Sequence, residues 1–143
     1  MMPDDALKLD RQLCFPLYAA ARLIMRLYLP LLEPLGITYT QYITLLVLWE
    51  KDDIPVKTIG ERLYLDTGTL SPVLKKLEKQ GLISRRRDPD DERSVLIHLT
   101  AQGRLLKPQA SHIPEAVKAS IRLTDEESKM VRHLLDRFMA DAL

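Results

Sequence analysis

Four neighbouring segments decide the fold: VKTIGERL (56–63), TGTLSPVLKKLEKQG (67–81), LISRRR (82–87) and SVLIHL (94–99). In the first two segments apolar residues recur at intervals of three and four, which is typical of amphipathic helices joined by a short turn. The last two can each form a strand, and DPDD (88–91) between them has the residues of a turn. The order helix, helix, hairpin predicts a winged helix-turn-helix.

A long helix is predicted before this core. Apolar residues keep a helical spacing from Leu7 to Leu32. Pro16 is expected to bend or restart this helix because proline removes a backbone donor, and Pro30 and residues 34–36 are expected to end it.

Hydroxyl side chains predict where later helices begin, because they can accept a hydrogen bond from a free backbone N–H. Thr38 or Thr40 is expected to cap a helix that extends through Trp49. Thr67 or Thr69 is expected to cap the second helix of the helix-turn-helix.

The C-terminal part is also predicted to be helical. Thr100 is expected to cap a helix that Pro108 and Pro114 interrupt. Thr124 and Glu127 have the spacing of a capping box, which begins a terminal helix. The apolar stripe of that helix comprises Met130, Val131, Leu134, Leu135, Phe138 and Met139.

A chain of 143 residues fits one domain, mainly α-helical with a small β-hairpin. The winged helix-turn-helix is expected at about residues 37–100, and dimerisation helices at about 5–34 and 101–143. Their apolar stripes need a partner surface, and a homodimer made by the two ends would supply it. Its two-fold axis would set two recognition helices on successive major grooves, about 34 Å apart, so the expected partner is a pseudo-palindromic double-stranded DNA operator.

Charge is unevenly distributed along the chain. The whole protein carries a net charge of +1, but residues 57–87 contain eight basic and three acidic side chains, a net charge of +5. A basic segment of this kind is typical of a surface that binds a polyanion, because neutralised phosphates release their counterions. A solvated charged face is the alternative interpretation.

The composition excludes several classes of protein. A single cysteine, Cys14, forbids an internal disulfide, and His98, His112 and His133 lack metal-ligand spacing, so neither a metal nor another cofactor is expected. A lone thiol favours the reducing cytoplasm. The acidic N-terminal residues are unlike a secretory signal, and no uninterrupted apolar run reaches the ~18 residues of a membrane span, so no membrane role is expected.

Several runs resemble the MarR family of repressors over nearly the whole chain: LDTGTLSP (65–72), KKLE (75–78), GLI (81–83) and DER (91–93). The run QLCF (12–15), with the tyrosines at 18, 28 and 39 and LWE (48–50), is similar to the OhrR branch, which senses organic hydroperoxides through one cysteine. This resemblance implies a dimeric repressor whose oxidised cysteine makes the DNA-reading helices shift and release the operator.

Eight side chains are expected to contact DNA: Thr67, Thr69, Ser71, Lys75, Lys76, Arg85, Asp91 and Arg93. Small hydroxyl side chains at the start of a recognition helix can reach base edges, and lysines one turn further on can reach phosphates. Arg93, at the hairpin, suits a narrow minor groove, with Asp91 fixing its orientation by a charge-assisted bond. The alternatives are helix capping for the two threonines and a bond within the hairpin for Arg93. Consecutive strand residues alternate between faces, so residues 85–87 cannot all face DNA.

The resemblance implies that Cys14 is the redox sensor, whereas a lone cysteine on an apolar helix face is otherwise a small buried hydrophobe. A reactive cysteine must be a thiolate, which a helix start or hydrogen-bond donors stabilise. The resemblance points to Tyr28 and Tyr39 as those donors, but Tyr28 lies about 21 Å from Cys14 along a straight helix. Antiparallel pairing of two first helices would bring Tyr28 of one subunit to Cys14 of the other. Tyr18, one turn from Cys14, is the local candidate.

The sequence therefore predicts a redox-responsive repressor, with an organic hydroperoxide as inducer. Without a second cysteine, oxidation would stop at sulfenic acid, continue to a mixed disulfide with a low-molecular-weight thiol, or proceed to irreversible acids. The alternatives are a MarR-type repressor that responds to a small aromatic ligand or a different thiol oxidant, and a winged helix that binds only proteins. A thiol peroxidase is a weaker alternative because the Thr-x-x-Cys arrangement is absent, and we expect no enzyme activity.

Overall fold

The computed structural model describes residues 3–142. Its helices are α1 (Pro3–Ala6), α2 (Cys14–Leu32), α3 (Tyr39–Glu50), α4 (Val56–Leu63), α5 (Thr67–Lys79), α6 (Ala101–Ala110), α7 (Ile113–Ser120) and α8 (Asp125–Ala142). Short 3-10 turns lie at Leu9–Arg11 and Glu33–Leu35. The strands are β1 (Ile54–Pro55), β2 (Ile83–Asp88) and β3 (Asp91–Leu99). The prediction of a mainly helical winged helix-turn-helix is confirmed.

The chain forms two compact units, one ending at Ile113 and the other beginning at Pro114. The first unit holds the winged helix-turn-helix. Its core includes side chains from α3, α4, α5 and β3 that are fully buried, among them Leu45, Ile59, Leu70, Leu77 and Ile97. Burial of each such side chain contributes roughly 1.5–3 kcal/mol. This packing holds α5 against the hairpin and so sets the position of its N-terminal end.

The hairpin belongs to a three-stranded antiparallel sheet in the order β1-β3-β2. Ile83 pairs with Leu99 and Asp88 pairs with Asp91, so only residues 89 and 90 form the turn. The turn is therefore shorter than the predicted 88–91, and β3 begins three residues before the predicted Ser94. The sequence did not predict β1, which is only two residues long and exists through its pairing with β3.

The first long helix begins at Cys14 rather than at Leu7, so that prediction is wrong. Pro16 is the third residue of α2, where the backbone N–H has no helical partner to lose, and it neither bends nor restarts the helix. Pro30 lies inside α2, which extends two residues beyond it. Termination comes instead from the following 3-10 turn and from Gly36, whose φ of 70° is left-handed.

Observed caps agree with some predictions and correct others. Thr38 caps α3 in a capping box with Gln41, and Thr124 and Glu127 exchange the predicted pair of bonds at 2.9 and 3.1 Å. Asp66, and neither Thr67 nor Thr69, is the N-cap of α5. A carboxylate accepts the free N–H bonds of a helix start better than threonine does, which explains the difference.

The helix capped by Thr100 ends at Ala110, beyond Pro108, which it accommodates in its last turn. The next helix begins at Ile113, so Pro114 occupies its first turn, where proline is tolerated. The chain is interrupted between these two helices, but both prolines lie inside helices, so the prediction that Pro108 and Pro114 cause the interruption is wrong.

Two helices expose large apolar side chains. On α2 these include Phe15, Leu17, Tyr18, Leu23 and Leu29, and on α8 they include Met130, Val131, Leu134 and Phe138. By length and composition alone, Cys14–Leu35 is long and apolar enough to span a membrane, contrary to our expectation from uninterrupted runs. Arg22 and Arg26, which lie within it, had ended those runs in the sequence. An apolar face of this size on a small domain requires a covering surface.

Candidate nucleic-acid interface and redox site

The start of α5 presents hydroxyl side chains to solvent. The Asp66 carboxylate accepts the backbone N–H of Thr69 at 2.7 Å. This bond, followed by one from the Thr69 hydroxyl, holds the pKa of Asp66 below its usual value. Thr67 and Thr69 are exposed and Ser71 is half-buried. Because Asp66 supplies the cap, the Thr67 hydroxyl is not required for it.

A cleft of about 570 Å³ separates the start of α5 from the hairpin. Five of the predicted DNA-binding residues line it: Thr67, Ser71, Arg85, Asp91 and Arg93. Lys57 and Thr58 at the start of α4 complete one wall. The structure therefore brings predicted helix and hairpin residues onto one concave surface, although they are separated by up to 26 positions in the sequence.

Lys75 and Lys76 do not line this cleft. They line a second groove of about 530 Å³, together with Lys79 and with Thr38 and Gln41 from the start of α3. Both predicted lysines are exposed. Three ammonium groups on one wall give this groove a positive potential that suits phosphate oxygens.

The contact between Asp91 and Arg93 differs from the prediction. The Asp91 carboxylate accepts the backbone N–H of Arg93 at 3.1 Å, and within residues 3–142 no ion pair joins the two side chains. An aspartate readily bonds the N–H two residues on, which shapes the local backbone. Asp91 therefore orients the peptide that carries Arg93, while the exposed guanidinium stays available to a ligand.

The three consecutive arginines of β2 have different surroundings, as strand alternation predicts. Arg86 forms a two-point ion pair with Asp53, in the loop before β1. Arg85 lies 3.6 Å from Glu78, but its Nε and Nη2 atoms are buried without a hydrogen-bond partner. Arg87 donates to the carbonyl of Glu92 within the hairpin.

Cys14 is exposed and is the first residue of α2. No side chain caps this helix start, because Leu13 holds the N-cap position. The predicted local donor, Tyr18, is exposed, and its ring lies 5.5 Å from the guanidinium carbon of Arg22. The Cys14 thiol is therefore open to solvent at a helix N-terminus.

Tyr28 and Tyr39 lie together at the other end of α2. Their ring centroids are 4.8 Å apart, and Tyr42 completes the cluster at 5.8 and 6.2 Å from the two rings. Burial raises the pKa of all three tyrosines, so their hydroxyls remain protonated and can donate. Among residues 3–142 none of these hydroxyls is engaged by a protein hydrogen bond.

Sequence reasoning missed several residues of these sites. Tyr42 had a signal, since it follows Tyr39 by three positions and so shares its helix face. Asp66 also had one, as aspartate is a preferred cap. Asp53 had none, because its bond with Arg86 spans 33 positions. Lys57 could be placed only once α4 was set against the hairpin.

The chain matches known regulators over most of its length. Residues 26–109 match the family described as transcriptional regulator SarA/Rot. The organic hydroperoxide resistance transcriptional regulator of Bacillus subtilis is 50% identical over 131 residues, 92% of this chain and 89% of that protein. The regulator TtmR of Methylorubrum extorquens is 49% identical over 133 residues, 93% of this chain and 67% of that protein.

Solved structures of AbfR, from Staphylococcus epidermidis, share the fold. Reduced AbfR bound to DNA has a TM-score of 0.80 at 34% identity, covering 98% of this chain and 97% of that one. Overoxidised AbfR bound to DNA also gives 0.80 at 34% identity, covering 99% and 100%, whereas disulfide-formed AbfR gives 0.64 at 35%, covering 97% and 94%. The chain belongs to the MarR family of winged-helix transcriptional regulators, in the branch of the organic hydroperoxide resistance regulators.

Proposed function

We propose that this chain is a redox-responsive DNA-binding transcriptional repressor that releases its operator when an organic hydroperoxide oxidises Cys14. The observation that carries the proposal is the position of the only cysteine. It lies exposed at the start of a helix whose apolar face is uncovered, and the tyrosine cluster lies at the opposite end of that helix. The kinship with hydroperoxide resistance regulators supports it.

Two copies of α2 packed antiparallel would complete the sensor. For Cys14 to lie beside Tyr28 of the partner subunit, the two-fold axis must cross the helix midway between them, at Ala21. Residues 19–21 are three alanines, which allow two helices to approach closely. The exposed stripe of α8 would add to the same homodimer. Residues 5–34 and 101–143 then serve dimerisation, and 37–100 form the DNA-binding core.

The proposed sensing reaction oxidises Cys14 in two steps. The Cys14 thiolate attacks one peroxide oxygen, so that an S–O bond forms and the O–O bond breaks. The alkoxide leaves and takes up a proton, which reduces the hydroperoxide to an alcohol and oxidises the sulfur by two electrons to sulfenic acid. A low-molecular-weight thiol then forms a mixed disulfide and releases water.

Release of DNA is assigned to the bulk of that mixed disulfide. AbfR was solved bound to DNA in an overoxidised form, and this chain resembles both DNA-bound forms more closely than the disulfide form. An attached thiol molecule at Cys14 does not fit beside packed tyrosine rings and would push the paired helices apart.

DNA binding is assigned to the cleft and the positive groove beside it. Thr67, Thr69 and Ser71 would meet base edges, Lys75 and Lys76 phosphates, and Arg93 the minor groove. Arg85 would contribute from the cleft wall. Such a protein acts where its operator is, in the cytoplasm, as a regulator and not as an enzyme.

The second candidate function is a repressor that responds to a small aromatic acid. The buried, unpartnered Nε and Nη2 atoms of Arg85 in the cleft favour it, since a carboxylate would satisfy them. Benzoate would then raise the melting temperature of wild type and not of Arg85→Leu, and would weaken DNA binding without an oxidant.

Operator binding before and after cumene hydroperoxide, with a low-molecular-weight thiol present, tests the proposal. We expect the wild type to lose affinity and Cys14→Ser to keep it. Equal release by both proteins would make Cys14 structural. The same assay with a different thiol oxidant, such as hydrogen peroxide, separates the hydroperoxide response from general oxidation.

A further inference from the structure

A series of hydrogen bonds between side-chain amides joins the corner between α2 and α3, residues 33–38, to the C-terminal end of α5, the proposed DNA-reading helix. Gln80 Nε2 donates to the carbonyl of Gly36 at 2.8 Å. Gln41 Nε2 donates to Gln80 Oε1, also at 2.8 Å, and Gln41 Oε1 accepts the backbone N–H of Thr38 at 2.9 Å. These bonds span up to 44 positions in the sequence. The resemblance and the composition give no sign of them.

This series of amide hydrogen bonds is anchored at both of its ends. Gln41 is 2% exposed and closes the capping box of α3, while Gly36 is fixed in a left-handed turn. Gln80 is the C-cap of α5, and its own backbone N–H bonds to the carbonyl of Lys76 at 2.9 Å. A displacement of the corner therefore acts on the end of α5 through two short hydrogen bonds.

The corner lies within the tyrosine cluster. Tyr39 follows the cap residue Thr38 directly, and Tyr42 follows Gln41. Tyr28, on α2, packs against both of these tyrosines. A group that shifts the backbone at Tyr39 therefore acts directly on Thr38 and Gln41, the two residues of the capping box on either side of it.

Helix α5 connects Gln80 to the proposed DNA-reading residues. Its proposed DNA-reading residues occupy its N-terminal turns, while Gln80 lies at its C-terminal end. The 13 residues of α5 make a rod about 20 Å long. A pull on its C-terminal end tilts the hydroxyl side chains at its N-terminal end relative to the hairpin.

We propose that Gln41 and Gln80 are positioning residues that transmit the state of the tyrosine cluster to the DNA-reading helix. This inference rests on the proposed redox function and adds the connection between sensor and reader. The α3 and α5 helices also contact each other and bury apolar side chains, so the amide bonds are one of several contacts that hold the two helices together. The role of the amide bonds is to make the position of α5 depend on the corner.

The test uses the full-length protein and measures the ratio of operator Kd after and before treatment with cumene hydroperoxide and a low-molecular-weight thiol. Gln80→Leu shortens the side chain by one heavy atom, removes both amide bonds and changes no buried apolar side chain, because Gln80 is exposed. We expect its reduced-state affinity to stay within about threefold of wild type and its Kd ratio to fall by about fivefold or more. Gln109→Leu is the matched control, since this exposed amide contacts only the carbonyl of Leu105 in its own helix.

A rescue variant separates positioning from general stability. Gln41→Glu/Gln80→Lys keeps the capping-box acceptor and supplies one ammonium group that can donate both to the new carboxylate and to Gly36. We expect it to regain most of the wild-type ratio. A Gln80→Leu ratio equal to wild type would overturn the inference while leaving the redox function intact. A double variant whose Kd ratio stays as low as that of Gln80→Leu would also count against the inference. A wild-type protein whose operator Kd does not change on treatment would overturn the proposed function together with this inference.

Discussion

The rings of Tyr28 and Tyr39 lie with their centroids 4.8 Å apart, although one belongs to α2 and the other begins α3. Their hydroxyls are protonated, since burial raises their pKa values, and they are therefore donors without protein acceptors in the described part of the chain. The corresponding acceptor in the proposed dimer is the thiolate of the partner subunit's Cys14. The proposed sensor is therefore complete only in the dimer, because one subunit supplies the tyrosine donors and the other supplies Cys14.

Removing one donor should slow sensing without unfolding the protein. We expect Tyr28→Phe to slow oxidation of Cys14 by cumene hydroperoxide, measured by the loss of free thiol with time. Because burial raises the pKa of Tyr28, its hydroxyl stays protonated at neutral pH and can act as a donor throughout the assay. Tyr64→Phe, at an exposed tyrosine that follows α4 and has no part in the sensor, is the control and should leave the rate unchanged. Equal rates for Tyr28→Phe and wild type would exclude the hydroxyl as a donor.

The dimer geometry predicts a specific cross-link. In a Cys14→Ser background, Ala21→Cys places one thiol per subunit at the proposed crossing point of the two α2 helices. A short bis-maleimide should join these subunits efficiently. A cysteine introduced at Leu29, eight residues along the helix, should react far less because its two copies lie on opposite sides of the axis. A monomeric product from Ala21→Cys would contradict antiparallel pairing.

The hairpin should contribute to affinity through Arg93. Its backbone is oriented by Asp91 while its guanidinium is exposed, so Arg93→Ala should weaken operator binding by about 1–3 kcal/mol. Arg87→Ala, on the same hairpin but bonded to the carbonyl of Glu92, should have a smaller effect. Fluorescence anisotropy with a labelled operator measures both. If both variants lost the same operator affinity, the contribution of Arg93 would come from its positive charge alone and not from its position on the hairpin.

Helix α5 should depend on its acidic cap in a pH-dependent way. The pKa of Asp66 is lowered in the folded protein by the backbone N–H of Thr69, so the stabilisation is present above the unfolded pKa and is lost as the pH falls through the folded one. Thermal unfolding should show a lower melting temperature for Asp66→Ala than for wild type at pH 7. The difference should shrink below about pH 4. Thr67→Ala is the control and should leave the melting temperature unchanged at both pH values. A difference in melting temperature between Asp66→Ala and wild type that stays the same at both pH values would refute the capping role of Asp66.

Salt should separate DNA recognition from binding of a protein partner. If the positive groove of Lys75, Lys76 and Lys79 contacts phosphates, the logarithm of the binding constant should fall linearly with that of the salt concentration. Lys76→Ala should reduce the magnitude of that slope by about one, the contribution of one phosphate contact. Absence of any duplex binding at low salt would favour the interaction-module alternative.

Local signals in the sequence predicted much of the fold. The bounds of α4 follow from its apolar spacing, and the capping box of Thr124 and Glu127 is visible as a residue pair three positions apart. The cap of α3 was narrowed to Thr38 or Thr40, and the structure selects Thr38. Features that depend on distant pairing were not predicted. The strand β1 exists only through β3, and the start of α2 depends on the 3-10 turn before Cys14.

The candidate site was predicted unevenly for a related reason. Residue types indicated the hydroxyls of α5 and the arginine of the hairpin, because their chemistry matches DNA groups. The resemblance indicated the pairing of Tyr28 with Tyr39, which helical spacing could not. The cleft wall at Lys57 and the amide bond between Gln41 and Gln80 require the packed chain, since each joins elements that the sequence separates widely.

The most direct measurement titrates the reduced protein–operator complex with cumene hydroperoxide and excess thiol and follows two quantities in the same samples. Mass spectrometry gives the fraction of Cys14 carrying the added thiol, and anisotropy gives the fraction of operator released. We expect release to rise in step with modification of Cys14 and to reverse when a strong reductant removes the thiol. Full modification with the operator still bound, or release with Cys14 unmodified, would contradict it.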